Sequence, residues 1–316
     1  MSTASILFLI YLAMLPAAAQ SQSYPSLPPV QLSTASNQFN IRFRWATETQ
    51  ASGEEPHAAI LFPVTLPGSS KTFYMQFDTG SPYSMFYKNS LDDIRKKYPR
   101  VNLSVDSSGK LINYRFKLQH TEMLAKEMII RAGEGQAIKK GKNELNIIGT
   151  IGTDLIDNKI CIIDYPGRKV TVANEMPTKY SQTATTGFMY ANRSMLFPAM
   201  IRGKKTILFF DSGSSAYELL TDKKTSLSLS VKDTVHTQAA SRSWDRVLTA
   251  HSYATADSIT IAGTSIPLLH ATYIEGASTS QVEQMMKMGI GGMTGNKLFI
   301  HSILVVDTKN KTFGLR

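Results

Sequence analysis

The chain states one pattern twice, far apart. Phe73-Tyr74-Met75-Gln76-Phe77 runs into Asp78-Thr79-Gly80-Ser81, and Thr206-Ile207-Leu208-Phe209-Phe210 runs into Asp211-Ser212-Gly213-Ser214. Upstream of each run lies a Leu-Phe-Pro triplet, Leu61-Phe62-Pro63 or Leu196-Phe197-Pro198. A turn sequence separates triplet from run, Pro67-Gly68-Ser69-Ser70 in one copy and Arg202-Gly203-Lys204-Lys205 in the other. Downstream, residues 152–164 overlay residues 295–307 without a gap. Apolar residues coincide at Leu155/Leu298, Ile160/Ile303, Ile162/Val305 and Ile163/Val306. A turn and a closing strand follow each copy, Tyr165-Pro166-Gly167-Arg168 before Val170-Thr171-Val172 and Thr308-Lys309-Asn310-Lys311 before Phe313-Gly314-Leu315. A repeat this long restricts the chain to folds in which two equivalent units pack together.

The units read as β-rich. Short apolar runs alternate with turn signals, and helical patterns are few, Ser90 to Tyr98 and Ser280 to Met288. Phe39, Ile41, Phe43 and Trp45 alternate with Asn40, Arg42 and Arg44, the period of a strand with one buried face. The chain has 316 residues, of which 42% are hydrophobic, enough for two domains with their own cores. The expected organisation is a signal peptide over 1–19, a flexible leader rich in Ser, Pro and Gln over 20–36, a first lobe over 37–176, a linker over 177–184 and a second lobe over 185–316. The signal peptide rests on the apolar stretch from Ile6 to Leu15, the break at Pro16 and the small residues Ala17, Ala18 and Ala19. It implies an exported protein, whether secreted, periplasmic or at the cell surface. An uncleaved anchor is the alternative, and basic side chains within 20–55 could serve a propeptide.

Cys161 is the only cysteine, so no disulfide can form within the chain. Its place in the apolar run Lys159-Ile160-Cys161-Ile162-Ile163 marks a buried structural thiol. The net charge of +10 is carried by short pairs such as Lys139-Lys140, Lys204-Lys205 and Lys223-Lys224. Scattered pairs suit solubility and at most a weak contact with polyanions, and no motif for specific nucleic-acid binding accompanies them. His57, His120, His236, His251, His270 and His301 stand singly, without metal-ligand spacing, so no metal or other cofactor is expected. Ala132-Gly133-Glu134-Gly135 lacks the Lys-Ser/Thr of a phosphate loop. No Ser sits in a nucleophile-elbow context. Asn102-Leu103-Ser104, Asn192-Arg193-Ser194 and Asn310-Lys311-Thr312 match a glycosylation sequon, which matters only in a glycosylating host.

What remains is the duplicated acid. A strand can hold Asp78 or Asp211 rigidly at its end. Gly80 and Gly213 let backbone approach a carboxylate, while Ser81 and Ser214 can add hydroxyl bonds to its outer oxygens. Two carboxylates brought within a few ångström cannot both ionise, so they share a proton and titrate as a unit. A water between them is then poised to attack a carbonyl, one acid accepting its proton and the other protonating the carbonyl oxygen.

On these two loops, on the closing elements Ile147-Ile148-Gly149 or Thr150-Ile151-Gly152 and Met293-Thr294-Gly295, and on the final strands, the chain resembles the pepsin-like (bilobal) aspartic proteases, with the retroviral-type proteases as cousins. The resemblance implies an all-β fold of two homologous β-barrel-like lobes with a cleft between them. It implies Asp78 and Asp211 as the catalytic pair, with Thr79 and Ser212 exchanging hydroxyl bonds between loops. It further implies a monomeric aspartic endopeptidase that takes a polypeptide substrate in extended form and binds statine-type inhibitors. The family's flap carries a Tyr-Gly signature not visible here. Tyr114 is the nearest candidate for the flap residue and Tyr98 a weaker one. The missing signature motivates the alternative, a non-catalytic peptide- or polymer-binding protein on the same fold.

Overall fold

The computed structural model describes residues 32–50, 53–141, 144–231, 237–243, 246–277 and 279–316. The proposed signal peptide and most of the proposed leader lie outside these residues. Strands dominate and form three sheets. An eight-stranded sheet belongs to the first half of the chain, another eight-stranded sheet to the second half, and a six-stranded sheet takes strands from both.

The two large sheets are built alike. In the first, Thr72–Phe77 pairs antiparallel with Gly53–Thr65 and parallel with Ile147–Ile151, placing Phe77 opposite Ile151. In the second, Lys204–Phe210 pairs antiparallel with Ser194–Ile201 and parallel with Ile290–Thr294, placing Phe210 opposite Thr294. This register settles which first-lobe element matches Met293-Thr294-Gly295. It is Thr150-Ile151-Gly152, not the overlapping Ile147-Ile148-Gly149. Each aspartate thus follows a strand flanked on both sides, and the residue before it is anchored by packing. Phe77 stacks on Phe62 with centroids 4.9 Å apart, and Phe210 stacks on Phe197 at 5.4 Å. All four rings are fully buried. Aromatic faces of this size give such strand ends most of their fixity.

The six-stranded sheet joins the halves. Ile160–Asp164 and Ile303–Asp307, aligned as equivalents in sequence, pair with each other antiparallel, and Ile162 stands directly opposite Val305. A residue opposite its own repeat counterpart marks the axis about which one half maps onto the other. The lobes are therefore not separated by a simple cut in the chain, since each contributes three strands to this shared layer.

Two expectations need correction. The leader does not run to residue 36, because Leu32–Ser33 pairs with Leu124 and Ala125 and Leu32 is buried in the main core. An apolar side chain with a pocket to fill orders the chain ahead of the first alternating strand. The alternation from Phe39 to Trp45 is two strands, not one. Gln38–Arg42 joins the shared sheet and Arg44–Gln50 the first lobe's sheet, with the Phe43 amide bonded to the Arg168 carbonyl where the chain changes sheets. Period two persists through that bend, so the pattern alone cannot reveal it. The linker over 177–184 packs against the shared sheet. It carries the 3-10 turn Thr178–Tyr180, and Tyr180 is buried against Ile160, Ile162 and Val305 under the shared sheet. Both helical patterns occur, as Lys88–Lys97 and Thr279–Lys287. A third helix, Lys223–Leu229, starts at Asp222, whose side chain accepts the Thr225 amide. Cys161 is buried as a packing residue, and burial pushes its thiol up to about 12.

Candidate active site

The two Asp-Thr/Ser-Gly-Ser loops meet where the lobes join. The Asp78 amide donates to the Ile151 carbonyl at 3.0 Å and the Asp211 amide to the Thr294 carbonyl at 2.9 Å, so both carboxyl groups leave their strands from equivalent positions. The hydroxyl residues then cross over. Thr79 Oγ1 donates to the Phe210 carbonyl at 3.2 Å and accepts the Ser212 amide at 2.9 Å. Ser212 Oγ donates to the Phe77 carbonyl at 2.9 Å and accepts the Thr79 amide at 2.9 Å. Four buried bonds, two in each direction, tie the strand ends to one another. Each is worth about 1 kcal/mol net, and more is lost when one partner is left buried and unpaired.

The glycines act across the interface. Gly80 and Gly213 donate their amides to their own aspartates, Asp78 Oδ1 at 2.9 Å and Asp211 Oδ1 at 2.8 Å. A Cβ on Gly80 would lie 2.6 Å from Asp211 Oδ1, and one on Gly213 would lie 2.6 Å from Asp78 Oδ1. Each glycine is therefore bare to admit the other lobe's carboxyl group.

The carboxyl groups themselves differ. Both are fully buried. Ser214 Oγ donates to Asp211 Oδ2 at 2.8 Å, completing that carboxylate's shell. Ser81 does not play the matching part assigned to it from the repeat. Its hydroxyl turns to the Tyr83 carbonyl at 2.8 Å, and only its amide reaches Asp78, at 3.2 Å from Oδ1. Asp78 Oδ2 takes no bond from any donor among the described residues. What Asp78 has in reach is the carboxyl of Asp211, and two carboxyl groups bond to each other only through a proton. Burial first, then the negative charge of Asp211 and the bond shared with it, hold Asp78 well above the usual carboxylate range. Burial raises Asp211 as well, but Ser214, the Gly213 amide and the bond from Asp78 pull it back. The pair is coupled, and the donors around Asp211 favour its charged form more than those around Asp78 do.

Two supporting residues escaped the sequence reading. Thr153 Oγ1 donates to the Thr79 carbonyl at 2.9 Å, and Asn296 Nδ2 donates to the Ser212 carbonyl at 2.9 Å. They are repeat counterparts, each polar and each directly after the closing glycine. That coincidence was the available signal. A third buried acid, Asp154, lies beside the first loop. Ser84 Oγ donates to its Oδ1 at 2.8 Å, while Oδ2 has no partner among the described residues, and burial raises the acid to about 6.

Tyr114 does not join this group. It sits on Leu111–Leu118, a strand of the barrel wall paired with Gly53–Thr65 and Thr121–Arg131, and its ring meets Phe86 edge-on at 6.0 Å. Tyr98 caps the Lys88–Lys97 helix and packs edge-on against Phe73. Apolar partners within the first lobe hold each ring, Phe86 for Tyr114 and Phe73 for Tyr98. Next to the second loop a polar cavity of ≈ 120 Å³ opens, with Glu54, Glu55, Tyr217, Glu218, His270 and Lys297 on its walls.

The architecture is the bilobal all-β fold of the pepsin-like proteases. Among solved structures, the aspartic proteinase from Irpex lacteus superposes with a TM-score of 0.51 over 88% of this chain and 96% of its own, at 11% identity. At that identity the likeness is one of fold. No family model matches the chain, and no curated protein matches it in sequence.

Proposed function

We propose that the protein is an aspartic endopeptidase that cleaves peptide bonds with a water activated between Asp78 and Asp211. The observation that carries the reading is the buried pair itself, two acids from opposite lobes cross-braced by Thr79 and Ser212, with one oxygen of Asp78 lacking any donor. On this reading Asp211, the charged partner, takes a proton from the water, and Asp78 gives its proton to the scissile carbonyl oxygen. The water oxygen bonds to the carbonyl carbon. The tetrahedral adduct then collapses as the C–N bond breaks and the nitrogen receives a proton from the pair. No group outside the pair need form a covalent intermediate. The polar cavity beside the second loop would take a side chain of an extended peptide. Because both acids are buried, hydrolysis includes a step that opens the site to substrate. Export and a monomeric state belong to the same proposal.

Digestion of a peptide library from acid to neutral pH, read by mass spectrometry, tests the reading. Cleavage by the wild type and its loss in both Asp78→Asn and Asp211→Asn is the expected outcome, a drop of at least ~100-fold. Undiminished proteolysis by either folded variant would end the proposal. Binding of a peptide without cleavage at any pH would favour the non-catalytic alternative, for which the placement of Tyr114 against Phe86 is the supporting observation.

A further inference from the structure

Two hairpins, one from each lobe, cross the boundary and grip the other lobe's aspartate loop. The hairpin of Arg44–Gln50 and Gly53–Thr65 offers the His57 carbonyl, which accepts Ser215 Oγ at 2.5 Å, and Glu55, which binds Lys297 Nζ at 2.6 Å. The hairpin of Met189–Ala191 and Ser194–Ile201 offers Arg193. Its Nη1 donates to the Pro82 carbonyl at 3.0 Å, and its Nε donates to Asp157 Oδ2 at 2.9 Å. Ser215 and Pro82 hold the same place in the repeat, directly after Asp-Thr/Ser-Gly-Ser. Ser215 brings a donor of its own. Pro82 has neither an amide hydrogen nor a hydroxyl, so on its side the hairpin must supply the donor.

The backbone at Arg193 points the same way. Asn192 and Arg193 form a two-residue turn with φ of 50° and 60°. Such turns favour glycine at the second position. Two other two-residue turns of this lobe obey this, with Gly203 after Arg202 and Gly263 after Ala262. At the place held by Gly203 and Gly263 in those turns, Arg193 keeps a long side chain in the left-handed region, and the residue is buried, 6% exposed, against the first lobe. A conformation that disfavours the residue is retained where the side chain is needed.

We propose that Arg193 is a positioning residue that holds the Asp78 loop in register with Asp211. The inference rests on the protease reading. Arg193 acts through Pro82, whose neighbour Ser81 donates its amide to Asp78. Asp157 also accepts the Tyr190 hydroxyl, so the arginine is seated from its own hairpin as well.

Arg193→Gly is the decisive variant, because it relaxes the turn while removing the grip. Peptide hydrolysis, thermal unfolding and site-resolved hydrogen exchange are measured together with the wild type. Expected are a kcat lower by about tenfold or more with KM within about twofold, as for a small misplacement of a reacting group. Amides of residues 78–81, 83 and 84 should exchange faster while those of 211–215 stay unchanged. Arg193→Lys should recover part of kcat, since one ammonium cannot reach both the Pro82 carbonyl and Asp157 as the fork does. Wild-type kcat in a folded Arg193→Gly variant, or exchange at 78–84 no faster than in the wild type, overturns the inference. Should Arg193→Gly not fold, wild-type kcat in Arg193→Lys overturns it. A wild type that cleaves no peptide sinks the protease reading, and the exchange comparison then still decides whether Arg193 holds the loop.

Discussion

The Asp78 and Asp211 loops share a sequence pattern, a backbone path and a partner strand, yet they treat their carboxyl groups differently. The second loop surrounds its acid with the Gly213 amide and the Ser214 hydroxyl. The first turns the Ser81 hydroxyl away and leaves one oxygen of Asp78 without a donor. Duplication therefore fixes where the acids stand, and one hydroxyl's direction makes their surroundings unequal. The clamps show the same division. The gripped residues Pro82 and Ser215 follow the repeat, but the ion pairs beside them do not, Glu55 meeting Lys297 on one side and Asp157 meeting Arg193 on the other.

The comparison can be broken hardest at the glycines. Gly80→Ala and Gly213→Ala would each set a methyl group 2.6 Å from the opposite carboxyl, so one loop must retreat. Both variants should lose ~100-fold or more in kcat, by misplacing a reacting group. Both should lose ~1–3 kcal/mol in urea unfolding, the usual cost of overpacking. Equal tolerance of alanine at both places would mean that the loops do not meet as described.

The serines sharpen the comparison. Ser214→Ala removes a donor from the charged acid, so Asp211 should ionise at higher pH and the acidic limb of kcat/KM should move upward. Ser81→Ala touches no side-chain bond to Asp78 and should leave that limb nearly in place. A pH–rate profile of the two variants reads the difference directly. The same shift in both would show the loops to be equivalent after all.

A further effect concerns stability and leaves the pair itself untouched. Asp154 is raised from 3.8 to about 6 by burial, so the folded protein binds more protons than the unfolded chain between those values. Its contribution is present below the unfolded value and is lost as pH rises through about 6, a swing of ~3 kcal/mol at 1.36 kcal/mol per pH unit. Thermal melts across that window should show wild-type stability falling with pH and a flatter profile for Asp154→Asn. A wild-type profile that rises through the window would contradict the assignment.

The sequence carried the repeat and the strand before each acid, because residue type and spacing encode them, while the cross-lobe bonds of Thr79 and Ser212 came with the family resemblance and the closing glycine stayed open between Gly149 and Gly152. It could not carry the orientation of a hydroxyl. Ser81 and Ser214 read alike until Tyr83 is seen to compete for one of them. Nor could it show that Phe39 to Trp45 crosses between two sheets, since a bend leaves period two intact. Tyr114 looked suitable by distance along the chain, but its ring is held by Phe86. Arg193 carried a faint signal, an arginine where a two-residue turn prefers glycine. That signal has meaning only once the turn is known to exist.

The central claim is that Asp78 and Asp211 share one proton. Carbon-13 NMR of the aspartate carboxyl groups, titrated in the wild type and in Asp78→Asn, tests it most directly. The account predicts an interval in which Asp211 is ionised while Asp78 stays protonated, and a lower midpoint for Asp211 once its acidic partner is gone. Two independent titrations near the ordinary carboxylate value, unmoved by the substitution, would contradict it.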